Sequence, residues 1–114
     1  MISIYHNPRC SKSRQTLQLL EEKGISPEVV LYLETPPDRA TLQALLDKLS
    51  ISPRQLLRKS EADYKENTLK DPGLSDEQLI DFMLKYPKLI ERPIVVNGDK
   101  AALGRPPEAV LAIL

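Results

Sequence analysis

Apolar and polar positions alternate at some points of the chain and recur at helical spacing at others. Ile2 and Ile4 flank Ser3, so Met1 to Tyr5 predicts a short first strand, which Asn7-Pro8 breaks. From about Ser11 the pattern turns helical, with Leu17, Leu19 and Leu20 apolar and Gly24 placed as a C-cap. Glu28 to Leu33 is β-branched and apolar enough for a buried second strand. A strand, a helix and a strand in succession make a βαβ unit, whose two strands run parallel.

The middle of the chain is helical. Thr35-Pro36-Pro37-Asp38 predicts a helix start with the prolines in its first turn, and Leu42, Leu45, Leu46 and Leu49 then share one face. Ser52-Pro53 opens a short helix carrying Leu56, Leu57 and Arg58, with Arg54 one turn earlier on the same helix. Residues 60 to 74 are polar and rich in turn formers. Ser75 with Gln78 forms a capping box before a helix carrying Leu79, Ile80, Met83 and Tyr86, which stops ahead of Pro87.

The last quarter returns to strand patterning. Pro93-Ile94-Val95-Val96 predicts a strand, Asn97-Gly98 a hairpin turn, Lys100 to Leu103 its partner, and Ala109, Val110 and Ile113 a short final helix. The order is β, α, β, a helical stretch, a ββ hairpin and α. That is an α/β fold with a thioredoxin-like mixed sheet, βαβ then ββα, and a helical insert between the halves. The expected organisation is a single domain over residues 1–114, with the insert at about 36–90. Pro93, opening the third strand, is a candidate cis-proline by position.

Composition narrows the function. Sixteen basic and sixteen acidic residues cancel, and aromatics are 4% of the chain, so neither a basic field nor stacking platforms favour nucleic acid. The N-terminus lacks a signal-peptide pattern, and nothing approaches the roughly 20 apolar residues of a membrane span. A cytoplasmic protein with no membrane association is the expectation. No exposed apolar stripe calls for a partner subunit, so a monomer is expected. One cysteine permits no internal disulfide, and one cysteine with one histidine cannot form a zinc cluster; no bound metal or cofactor is expected.

Cys10 carries the candidate chemistry. A lone cysteine is ordinarily a small buried hydrophobe. This one stands between a strand and a helix, outside the apolar periodicity of both, with Arg9, Lys12 and Arg14 beside it. Helix N-terminal amides and cationic neighbours favour the thiolate, which is the nucleophile, and the same groups bind oxyanions. His6 would add charge if protonated. A C-x5-R phosphatase loop would need arginine at position 16, where the chain has Thr16. A C-x-x-C redox pair would need cysteine at position 13, where it has Ser13. One nucleophilic sulfur without a resolving partner remains, so the second thiol must come from outside the chain, as glutathione or a thiol-transfer protein.

Three stretches in order, Tyr5-His6-Asn7-Pro8-Arg9-Cys10-Ser11-Lys12-Ser13-Arg14, Glu91-Arg92-Pro93-Ile94-Val95-Val96 and Leu103-Gly104-Arg105-Pro106-Pro107-Glu108, resemble the glutaredoxin-coupled arsenate reductases of the ArsC family. Tyr32-Leu33-Glu34-Thr35-Pro36 and Leu56-Leu57-Arg58 fit as well, so the resemblance spans nearly the whole chain. It implies a thioredoxin-like fold with Cys10 as the nucleophile on arsenic. It implies that Arg58, Arg92 and Arg105 bind the oxyanion, His6 helps keep the cysteine ionised, Ser13 sets a hydroxyl near the sulfur, and Pro93 is the cis-proline. The implied cycle reduces arsenate to arsenite through a thiol–arsenate adduct, with glutathione as co-substrate and glutaredoxin as partner. Arg9 and Lys12 stand where resistance enzymes of the family tend to carry smaller neutral residues, which bears on substrate preference. Rival readings exist for single residues: Arg54 for Arg58, a surface pair with Glu108 for Arg105, and a plain loop role for His6. Two other functions compete. One is a general glutathione-dependent thiol-disulfide oxidoreductase, which needs no oxyanion cage. The other is an Spx-like RNA polymerase-binding regulator, against which the missing second cysteine counts.

Overall fold

The structure is a computed structural model that describes all residues 1–114. The chain forms two compact units, residues 1–35 with 92–114, and residues 36–91.

The first unit is built on a four-stranded sheet. Its strands are β1 (Ile2–Tyr5), β2 (Glu28–Val30), β3 (Ile94–Asn97) and β4 (Lys100–Leu103), in the order β2-β1-β3-β4. β1 runs parallel to β2 and antiparallel to β3, and β3 and β4 form an antiparallel hairpin. Helix α1 (Ser11–Glu22) makes the crossover between β1 and β2, as a parallel pair requires. This is the expected thioredoxin-like mixed sheet. Ile4 of β1, Leu20 of α1, Val95 of β3 and Val110 near the C-terminus are all fully buried and form one apolar cluster. Strand alternation turns Ile4 inward, while helical spacing brings Leu20 to meet it.

Several elements differ from the sequence pattern. β2 ends at Val30, not Leu33, because Leu31 O accepts the N–H groups of Glu34 and Thr35, each at 2.9 Å, and the chain turns there. β2 also lies at the sheet edge, where Val29 is 44% exposed; the buried member of that apolar run is Tyr32, beyond the strand. The hairpin turn is centred on Gly98-Asp99, since Asn97 still pairs with Lys100. Gly98 takes φ +63°, which glycine adopts without the clash of a Cβ. The last element, Pro107–Ile113, is a 3-10 helix.

The second unit is helical: α2 (Arg39–Leu49), α3 (Pro53–Leu56), α4 (Ala62–Glu66), α5 (Asp76–Lys85) and a 3-10 turn at Pro87–Leu89. Leu42, Leu45 and Leu46 of α2, Leu56 of α3, and Leu79, Ile80 and Met83 of α5 are buried, as their spacing predicts. α2 starts on Asp38, whose carboxylate accepts from Thr41 N–H at 2.8 Å, so Pro36 and Pro37 precede the helix instead of filling its first turn. α3 ends at Leu56, which leaves Leu57 and Arg58 outside the helix; Leu57 forms an isolated bridge with Ile90. α4 is a helical turn within the polar stretch of 60 to 74, where the pattern predicts no helix. No helix of the chain is long and apolar enough to cross a membrane.

Candidate active site

The loop from His6 to Cys10 leaves the C-terminal end of β1 and is fixed at almost every residue. His6 N–H donates to Val30 O at 2.9 Å, extending the β1–β2 pairing by one bond. Asn7 then organises the turn: its carbonyl accepts from Cys10 N–H at 3.0 Å and its side-chain Oδ1 from Arg9 N–H at 3.0 Å. Arg14 Nη1 donates to Pro8 O at 2.9 Å from the first turns of α1. Cys10 is thereby held as the N-cap of α1, extended at φ −97° and ψ 124°, and only 8% exposed.

No side-chain oxygen caps this helix. The cysteine sulfur stands at the cap position, and the free amides of the first turn act on it. Burial pushes the Cys10 thiol up, but the Ser13 N–H, the Arg92 charge, the Lys12 N–H and donation from the Arg92 guanidinium outweigh it, and the net shift is downward. The thiolate is therefore favoured at a nearly buried position, where an ordinary cysteine would be a neutral hydrophobe.

His6 and Ser13 form a second layer. Ser13, fully buried, accepts from Asn7 N–H at 3.0 Å and lies 2.6 Å from His6 Nδ1. Burial and then the Arg14 charge lower the His6 pKa below its ordinary value, so the neutral ring is favoured at pH 7. One hydrogen bond joins His6 Nδ1 and Ser13 Oγ, and the ring tautomer sets which of the two donates. Burial, and then the Arg14 charge, therefore work against the positive charge that the sequence allowed for His6. His6 anchors the loop through Ser13, and Ser13 acts on the sulfur through its backbone N–H.

Arg92 and Arg105 flank the hairpin. The last paired residues at its open end are Ile94 and Leu103, and the next step outward carries a bond from Gly104 N–H to Pro93 O at 2.9 Å. Arg92 and Arg105 follow immediately, and Arg105 Nη1 donates to Arg92 O at 3.3 Å. Both arginines precede cis peptide bonds, Arg92–Pro93 and Arg105–Pro106; the second has no counterpart in the sequence reading. Cys10, His6, Ser13, Arg92, Pro93 and Arg105 all lie in the first unit.

Arg58 lies in the second unit. Its backbone N–H donates to Leu89 O at 2.8 Å, and its guanidinium faces Glu61 at 3.5 Å and Lys88 O at 3.5 Å. Arg54 donates to Leu69 O at 2.9 Å and Asp71 O at 2.8 Å, bracing a turn of the same unit. Three site residues have no place among the candidates read from sequence. Asn7 shapes the loop, Thr16 is a fully buried polar residue on α1, and Gly104 packs against Thr16 and Pro93. The signal for Asn7 was its step before proline. For Thr16 it was a polar residue in phase with Leu20, one turn away, on a helix face that turns inward.

Cys10, at the start of the crossover helix α1 of a thioredoxin-like fold and with Arg92 acting on its sulfur, is the candidate nucleophile of this site. The chain matches the ArsC family over residues 5–113, and it belongs to that family. It is 60% identical over 114 residues to the uncharacterized protein YfgD of Escherichia coli K12, with 99% of this chain and 96% of that one covered. An arsenate reductase of Escherichia coli is 52% identical over 113 residues, covering 99% of this chain and 80% of the relative. The solved structure of an arsenate reductase from Vibrio cholerae superposes with a TM-score of 0.97 at 53% identity, covering 99% and 97% of the two chains.

Proposed function

We propose that this chain is an arsenate reductase that takes its electrons from Cys10 and an external thiol. The observation that carries the reading is the Arg92 guanidinium acting on a Cys10 sulfur whose pKa is lowered at the start of α1. Relatives named arsenate reductases at about half identity over the full chain support the substrate.

In the proposed cycle the Cys10 thiolate attacks As(V), and one arsenate oxygen, protonated, leaves as water. Arg92 and Arg105 hold the remaining oxygens, where planar donor forks neutralise charge as the bond forms. Glutathione thiolate then attacks the Cys10 sulfur. The S–As bond breaks with its electron pair remaining on arsenic, which departs as As(III) arsenite and leaves a Cys10–glutathione disulfide. A glutaredoxin thiolate attacks the glutathione sulfur and releases Cys10 as thiolate. The two electrons that reduce arsenic come one from each of the two sulfurs joined in the disulfide.

The deciding measurement is arsenite production from arsenate by purified protein with glutathione and glutaredoxin, with Cys10→Ser and Arg92→Ala alongside. Turnover in the wild type, lost in both variants, is the expected result. A wild-type protein that becomes glutathionylated at Cys10 yet makes no arsenite overturns it in favour of general glutathione-dependent thiol-disulfide exchange.

A further inference from the structure

Gly104 sits where no side chain fits. A Cβ built on it would lie 2.4 Å from Thr16 Oγ1 and 2.7 Å from Pro93 Cγ, both inside the closest approach that real Cβ atoms show, and a tight 3.0 Å from Thr16 Cγ2. Its φ is not in the left-handed region, so glycine is required here by close approach and not by backbone conformation. Gly104 N–H donates to Pro93 O at 2.9 Å, which ties the same residue to the other strand of the hairpin. Thr16, fully buried, gives its hydroxyl hydrogen to Lys12 O at 2.8 Å, with Gly104 O a further 3.5 Å contact. Two of the three parts adjoin the arginines: Pro93 follows Arg92, and Gly104 precedes Arg105. The third, Thr16, stands on the helix that Cys10 opens.

We propose that Thr16 and Gly104 are positioning residues: their contact seats the open end of the hairpin against α1 and so sets the approach of the Arg92 guanidinium to the Cys10 sulfur. Neither touches the reacting atoms. The inference rests on Cys10 being the activated thiol of the proposed function. A contact this tight has little compliance, because protein interiors are packed at crystal-like density and transmit displacement. A methyl added at Gly104 meets the Pro93 ring and the buried Thr16 side chain of α1, so the hairpin end must move. Opening the contact from the helix side, by Thr16→Ala, lets the same segment shift inward.

The test follows Cys10 ionisation directly, by thiolate ultraviolet absorbance against pH, in the full chain. Gly104→Ala is expected to lower the thiolate fraction at a fixed pH below the wild-type midpoint by about three- to tenfold, as expected when a nearby cation is displaced. Thr16→Ala is expected to act in the same direction and more weakly. The double variant Thr16→Ala/Gly104→Ala moves a methyl across the contact and is expected to recover most of the wild-type fraction. In an Arg92→Ala background Gly104→Ala should add nothing, since its effect runs through Arg92. An unchanged midpoint in folded Gly104→Ala overturns the proposal, as does an equal shift in the absence of Arg92. Should Gly104→Ala fail to fold, the Thr16→Ala midpoint decides, an unchanged value being the negative result. A wild-type midpoint at the ordinary thiol value removes the activated thiol and this role together; a low wild-type midpoint indifferent to both substitutions removes this role alone.

Discussion

The helices of this chain begin in two ways. In the second unit, α2, α3 and α5 each start on a side-chain oxygen: Asp38 accepts from Thr41 N–H, Ser52 from Gln55 N–H and Ser75 from Gln78 N–H. For α3 and α5 the glutamine returns a bond to the cap residue's own backbone, completing a capping box. In the first unit α1 starts on Cys10 with no such bond. An oxygen cap satisfies an orphan amide and stabilises the helix by about 1 kcal/mol. At α1 the first-turn amides act on a thiol instead, whereas α4, which starts on Glu61, also lacks a side-chain cap bond but has no such group at its start. Against Ser52 and Ser75 the difference is one atom, sulfur for oxygen, at an equivalent backbone position, since all four cap residues are extended.

Cys10→Ser breaks the contrast most severely, because it puts a capping oxygen where the nucleophile stands. Arsenite formation is expected to fall by about a thousandfold or more, the usual scale for removing a nucleophile. Residual turnover within tenfold of wild type would falsify the assignment of Cys10. Arg92→Ala tests the other half of the environment. Kcat/KM for arsenate is expected to fall by about a hundredfold, in line with loss of one oxyanion donor. The Cys10 titration midpoint should rise, because a charge and a donor to the thiolate are both removed. Normal activity with a raised midpoint would separate thiol activation from oxyanion binding.

The contrast also explains what was readable in the sequence. Capping boxes are short-range patterns, so Ser52 with Gln55 and Ser75 with Gln78 announce their helices directly. The helix at Asp38 was readable only in part: Thr35-Pro36-Pro37 offers a rival start, and the accepting oxygen belongs to the residue after the prolines. Cys10 was legible because the strand–helix boundary and the neighbouring cations are both local features. The meeting of Arg92 and Arg105 was inferable from the hairpin, whose pairing in register brings its two ends together. Gly104 and Thr16 were not legible, being 88 residues apart and meeting only in three dimensions. Nor was the lowered pKa of His6, which follows first from burial of a ring whose surroundings the local sequence does not specify.

Ser75→Ala sharpens the comparison from the structural side. Loss of the oxygen at α5 is expected to reduce unfolding free energy by about 1 kcal/mol and to lower Tm by roughly 4–8 °C, measured by denaturant and thermal unfolding. The Cys10 titration should not move. A matching change in Cys10 reactivity would show that this cap serves more than its own helix.

The smallest expected effect is the most specific to the two kinds of cap, because each titrates. Asp38 has its carboxyl held below the usual range by the Thr41 N–H and then the Thr41 hydroxyl. Cys10 has its thiol lowered despite burial, by the first-turn amides and Arg92. Both groups release their protons more readily folded than unfolded. Between the folded and ordinary pKa of either group the unfolded chain binds more protons, so stability rises with pH there. The Asp38 contribution is complete above the ordinary carboxylate range and is lost as pH falls through its folded value. The Cys10 contribution is absent below the folded thiol value, grows as pH rises through it and is complete above the ordinary thiol value. In Cys10→Ser the helix keeps a neutral oxygen cap at every pH. Serine should therefore be the more stabilising cap below the folded thiol value, and the wild-type protein should gain on the variant as pH rises from there to the ordinary thiol value, in urea unfolding series run on both. Parallel stability curves for the two proteins across that span would mean that the sulfur at the start of α1 is no more ionised in the folded chain than in the unfolded one.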